Sequence, residues 1–147
     1  MESFASPKSA EAKAALAQAR TDLAEAKSTL AQARVAVNPN DPQALQDALA
    51  ATRSAPDNGD IVLGLITVAS AQNNPGAALP AIAAYTARNP RDAQMFAYWG
   101  QTAEQAGQRN QAILAYQRFL QLAPDDTLAP DIRNRLKDLA KQPAATG

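Results

Sequence analysis

The side chains that could do acid–base work here are carboxylates, because the chain has neither histidine nor cysteine. Glu104 and Asp60 are the two acids placed to be imagined as proton donors, and the sequence fixes no partner for either. The missing residue types remove thiol catalysis, His-based triads, disulfides and nearly all zinc or copper sites. Asp57, Asp125 and Asp126 could offer oxygen to a hard cation, but no segment has the spacing of a calcium loop. All three fall in predicted turns, where an acidic residue satisfies free backbone donors. No metal or cofactor is expected, and none of the six glycines builds a phosphate loop.

Charge points the same way. Fourteen basic residues balance fourteen acidic ones, and no basic stripe interleaves with aromatics, which disfavours nucleic acid as a partner. The longest apolar run, from Ile61 to Ala69, is too short to cross a bilayer. The N-terminus lacks the apolar stretch of a signal peptide, so the sequence as written reads as soluble. A cytoplasmic location is expected for a full-length chain, and an extracytoplasmic one if a leader or anchor has been removed.

The elements that would position any site are all helices. Residues 93–126 hold two amphipathic patterns separated by Gly107 and closed by Pro124. Gly100, Ala103 and Ala112 leave room for two helices to approach, and Phe96, Trp99, Tyr116 and Phe119 fill the space around them. A buried aromatic removes roughly 150–250 Å² from water, about 4–6 kcal/mol gross, so these four are the expected anchors. Gly107 belongs where a helix ends in a left-handed residue.

Steps of 34 residues carry this pattern backwards. Pro124 leads to Pro90 and Pro56, Ala112 to Ala78 and Ala44, Ala103 to Ala69 and Val35. Three in-phase units result: 25–58, 59–92 and 93–126. The middle one has Ile66 in place of Gly100 and Asn73 in place of Gly107, and Pro80 should weaken the first turns of its second helix. The first is degenerate, with Gln32 at the glycine place and Pro39 at the turn. Residues 127–141 read as a closing helix with Thr127 as N-cap and Leu128, Ile132, Leu136 and Leu139 on one face.

Together Phe96, Trp99, Gly100, Ala103, Gly107, Ala112, Tyr116, Phe119 and Pro124 make residues 93–126 resemble a tetratricopeptide repeat. The resemblance implies an all-α fold: a short right-handed α-solenoid of antiparallel helix pairs, with 127–141 as its polar-faced cap. It also implies a non-enzymatic scaffold or adaptor that binds another protein. The first helix of each repeat in this family lines a groove. Here that groove would present Asp60, Leu63, Thr67, Ser70 and Ala71, then Gln94, Ala97, Gln101, Glu104 and Gln105. The family's charged clamp for chaperone C-termini is not matched, since Leu63, Thr67 and Ala97 stand where it needs charge or amide. A neutral lining suits a helix or extended peptide. Bacterial proteins of this type are often tethered to the envelope.

Residues 9–37 follow another rule. Leu16, Leu23, Leu30 and Val37 recur every seven residues, with Ala19, Ala26 and Ala33 three places after each leucine. This is a coiled-coil-like seam, flanked by Arg20, Lys27 and Arg34 and by Asp22 and Glu25. Two arrangements are open. The long helix packs on its own chain, or residues 9–24 project and pair with another. The second makes self-assembly into a filament or ring the alternative function, through the repeat ends and the seam of Leu16, Ala19, Leu23, Ala26 and Leu30. Residues 1–8 and 142–147 are expected to be flexible.

Overall fold

The computed structural model describes residues 7–142, and the expected flexible ends fall largely outside them. Within the described residues the protein is all-helical, with no strand. The helices are α1 (Pro7–Val37), α2 (Pro42–Ser54), α3 (Gly59–Ala71), α4 (Leu79–Arg88), α5 (Ala93–Gln105), α6 (Arg109–Leu122) and α7 (Ala129–Lys141). A 3-10 turn, Pro75–Ala78, leads into α4. α1 begins two residues before the predicted start, because Pro7 suits a first helical turn, where no donor is needed.

Helices pair in chain order: α1 with α2, α3 with the 3-10 turn and α4, α5 with α6, and α7 against α6. Short connections make the members of each pair antiparallel. One core runs through the first two pairs and is centred on Val62, Leu65, Val68 and Ile82, all fully buried. A second joins α5, α6 and α7 around Phe119. Trp99 packs against both. The first pair is held mainly by small residues: Ala31, Ala44, Ala48 and Ala51 are essentially inaccessible. Alanine buries little area per residue, so that pair relies on close backbone approach.

Sequence spacing reappears in the joints. Gly107 (φ 72°) and Asn73 (φ 55°), 34 residues apart, both adopt the left-handed conformation expected of them. Each closes its helix with the same pair of bonds. Gly107 N–H donates to Glu104 O and Gln108 N–H to Ala103 O, while Asn73 donates to Ser70 O and Asn74 to Ala69 O. The other joint is also periodic. Asn58 Oδ1 accepts from the N–H groups of Asp60 and Ile61, Asp92 Oδ1 from Met95, and Asp126 Oδ1 from Leu128.

That periodicity corrects two expectations. Asp57 does not cap a helix; it pairs with Arg88 at 3.3 Å, and its neighbour Asn58 does the capping. Thr127 is not the N-cap of α7, which starts at Ala129 with Pro130 in its first turn. Proline defers the helix by fixing φ and lacking a donor; Leu128 stands at the N-cap without a side-chain cap, and Asp126 Oδ1 accepts from the Leu128 N–H in the turn before the helix. The weakening expected from Pro80 is seen: the turn before it, Pro75–Ala78, is 3-10, and the α-helix begins only at Leu79, with Pro80 in its first turn.

In the last pair Gly100 is required by geometry. A Cβ there would lie 2.3 Å from the Tyr116 ring. The middle pair solves the same crossing with Ile66 and fully buried Ile82, the residues 34 places earlier. Its own close approach is displaced to Gly64, where a Cβ would lie 2.4 Å from Ser28 Oγ of α1.

Candidate functional site

The residues expected to line a groove do sit on α3 and α5, but they are not equivalent. Thr67 returns its hydroxyl proton to Leu63 O in its own helix at 3.0 Å. Ser70 Oγ donates to Gln105 Oε1 at 3.3 Å, tying the C-terminal ends of α3 and α5 together. Ala71 is exposed.

Glu104 departs furthest from expectation. Far from lacking a partner, its carboxylate accepts from Tyr116 Oη at 2.6 Å and from Arg135 at 2.7 and 3.1 Å. Arg135 uses two nitrogens, the forked geometry that suits a carboxylate. Glu104 therefore joins α5, α6 and α7. Burial, and then the hydrogen bond to Glu104, push the Tyr116 phenol well above the ordinary range. The hydrogen bonds that Arg135 itself donates to Glu104 raise Arg135 above its ordinary range. With both carboxylate oxygens committed, Glu104 serves as a brace rather than a free wall of a groove.

Three depressions accommodate the remaining positions. The first, of about 370 Å³, lies between α3 and α5 and takes Asp60, Leu63 and Gln94, with Tyr98 and Met95. Its floor includes Tyr85 of α4, whose hydroxyl donates to Asp92 Oδ2 at 2.7 Å. That bond, with burial adding, holds the Tyr85 phenol up at about 12. Asp92 thus caps α5 and anchors α4 at once. The second, of about 280 Å³, runs from Ala97 and Gln101 of α5 to Leu128 and Ile132. The third, of about 390 Å³, is lined by Gln101, Gln105, Arg109, Arg135 and Leu139.

Among the described residues, the side chains of Asp60, Gln94 and Gln101 make no hydrogen bond or ion pair within the chain. Tyr98, which spacing did not single out, lies with them and is 37% exposed. A row of free carboxylate, amide and phenol groups beside Leu63 and Ala97 can hydrogen-bond a polypeptide and cover an apolar side chain. Sequence spacing gave the face. It could not show that Glu104 is held by Arg135 or that Gln105 Oε1 accepts from Ser70, because those partners lie more than thirty positions away.

The seam residues of α1 lie elsewhere. Its buried stripe is Ala24, Ser28, Ala31 and Val35, whereas Leu16, Ala19, Leu23, Ala26 and Leu30 are all exposed. The helix packs on its own chain from Ala24 onward, and residues 10–20 are exposed throughout. No described helix is long and apolar enough to cross a membrane. Compared with known proteins, the chain matches no family model and no curated protein.

Proposed function

We propose that the protein is a non-enzymatic scaffold or adaptor of the tetratricopeptide type, a short right-handed solenoid closed by α7, that holds a helix or extended peptide of another protein against α3 and α5. The observation that carries this reading is the 34-residue phase of both kinds of joint. The turn acceptors Asn58, Asp92 and Asp126, the first two of them helix caps, and the left-handed residues Asn73 and Gly107 keep one register. Similar joints at one spacing are what a stack of like units requires.

The binding surface in this reading is Asp60, Leu63, Gln94, Ala97, Tyr98 and Gln101. Asp60, Gln94, Tyr98 and Gln101 offer polar atoms beside the apolar Leu63 and Ala97, whereas both oxygens of Glu104 are engaged and Thr67, Ser70 and Gln105 each make a bond within the chain. Aromatic residues such as Tyr98 are favoured contact points because a rigid ring covers area at small entropic cost.

The test is affinity capture from the native source with wild-type protein and with a Gln94→Lys/Gln101→Lys variant. Both positions are exposed, so the thermal midpoint should hold. A stoichiometric partner lost from the variant supports the groove. The same partner retained in full removes it.

A further inference from the structure

We propose that α1 pairs in parallel with α1 of a second copy of this chain, through Leu16, Ala19, Leu23, Ala26 and Leu30, to give a closed two-fold dimer. Three observations support this. First, the largest apolar side chains of α1 are the ones its own chain leaves uncovered: Leu16, Leu23 and Leu30 are 53%, 57% and 47% exposed. At about 100° per residue they lie roughly 110° around the helix from the buried stripe of Ala24, Ser28, Ala31 and Val35. Packing on α2 and α3 therefore does not explain them.

Second, the spacing is seven throughout. A straight helix drifts by ~20° per heptad, so a strict seven-residue row stays on one line only when wound around another helix. The part N-terminal to Ala24 extends roughly 25 Å beyond the packed region at 1.5 Å per residue, with its sides exposed and open to a partner helix.

Third, the flanking charges select the partner and its direction. In a parallel pair each residue meets its own copy, so leucine layers alternate with narrow alanine layers. Asp22 then lies across from Lys27 of the other copy, five positions on, and the two-fold axis repeats the attraction. In an antiparallel pair the flank of Arg20 and Lys27 would face another such flank and repel. Arg34, last of that row, is already held by Asp41 at 3.2 Å and Asp47 at 3.3 Å. A parallel pair is closed, so it stops at two copies instead of growing into a filament.

The inference stands apart from the α3–α5 groove, and its test leaves that groove intact. Sedimentation of the full chain from low-micromolar to near-millimolar concentration should show the mass doubling from 15.4 kDa. A Leu16→Gln/Leu23→Gln/Leu30→Gln variant should remain monomeric with its thermal midpoint measured in the dilute regime unchanged. The absence of native cysteine makes crosslinking clean. Ala19→Cys and Ala26→Cys, made separately, should each oxidise to a disulfide-linked dimer. A monomer at every concentration overturns the proposal, as does a dimer that survives the leucine changes. Crosslinking at only one of the two cysteine positions overturns the parallel direction.

Discussion

Gly100→Ala puts one methyl group where the structure has none to spare. The new Cβ would stand 2.3, 2.4 and 2.7 Å from three atoms of the Tyr116 ring, well inside contact distance. Tyr116 is 4% exposed and its hydroxyl is bonded to Glu104, so the ring cannot swing away freely. Overpacking of this kind costs about 1–3 kcal/mol, and weakening a hydrogen bond to a charged acceptor adds roughly 1 kcal/mol. Against this, replacing glycine by alanine inside a helix returns about 0.5–1 kcal/mol. The net expectation is about 1–3 kcal/mol of destabilisation. At roughly 3 °C per kcal/mol for a chain of this size, the thermal midpoint should fall by about 3–9 °C.

Urea denaturation followed by the fluorescence of Trp99, the single tryptophan, measures this directly. A cycle with Tyr116→Ile isolates the cause, since it copies the Ile66–Ile82 solution of the middle pair. In that background Gly100→Ala should cost about zero. Gly64→Ala serves as the contrast. Its nearest atoms, Ser28 Oγ and Gln32 Nε2, are side-chain ends that can rotate, so it should be milder. If Gly100→Ala is neutral, or equally harmful with Ile at 116, the steric account is wrong.

Two further outcomes concern the joints. Asp92→Ala removes an acceptor from both Met95 N–H and Tyr85 Oη, and should cost about 2 kcal/mol in urea unfolding. Asp126→Ala, which takes one backbone bond, should cost about 1 kcal/mol or less. Alkali should destabilise the fold. Tyr85 holds its proton to about 12, against 10.0 for a free phenol, and Tyr116 is raised in the same direction. The folded state thus binds protons that the unfolded chain releases, so this contribution is complete below pH 10 and is lost as pH climbs toward 12. The urea midpoint should fall across that window, and less steeply in Tyr85→Phe. A flat midpoint in the wild type contradicts the assignment.

Period and residue type carried much of the fold. The left-handed Asn73 and Gly107 and the Gly100–Tyr116 contact were legible because each depends on neighbours within one hairpin, where spacing determines proximity. The middle glycine was not. Gly64 serves an approach to α1, two places off the repeat phase, and only the packing of α3 against Ser28 shows it. One cap was missed by one position: Asp57 is charged and conspicuous, yet Asn58 holds the bonds, because capping depends on backbone geometry rather than on charge. Asp126, named among the turn acids, does accept a backbone N–H, from Leu128. In the groove, position was readable and availability was not. Whether Glu104 is free depends on Arg135, which belongs to the closing helix.

Trp99, packed against both cores, bears on how the chain comes apart. A chain of packed helix pairs unfolds as one block only when the junctions between neighbours are strong, and here one indole occupies such a junction. Its Nε1 donates to Gln111, and its ring stacks on Phe96 with centroids 6.0 Å apart. Its emission therefore reports loss of the bond between the middle and last units, whereas far-ultraviolet dichroism also counts the overhanging half of α1. The gap between the two melting curves is a direct measure of cooperativity among the helix pairs: coincident curves mean a single block, and an early dichroic loss means a helix that frays alone.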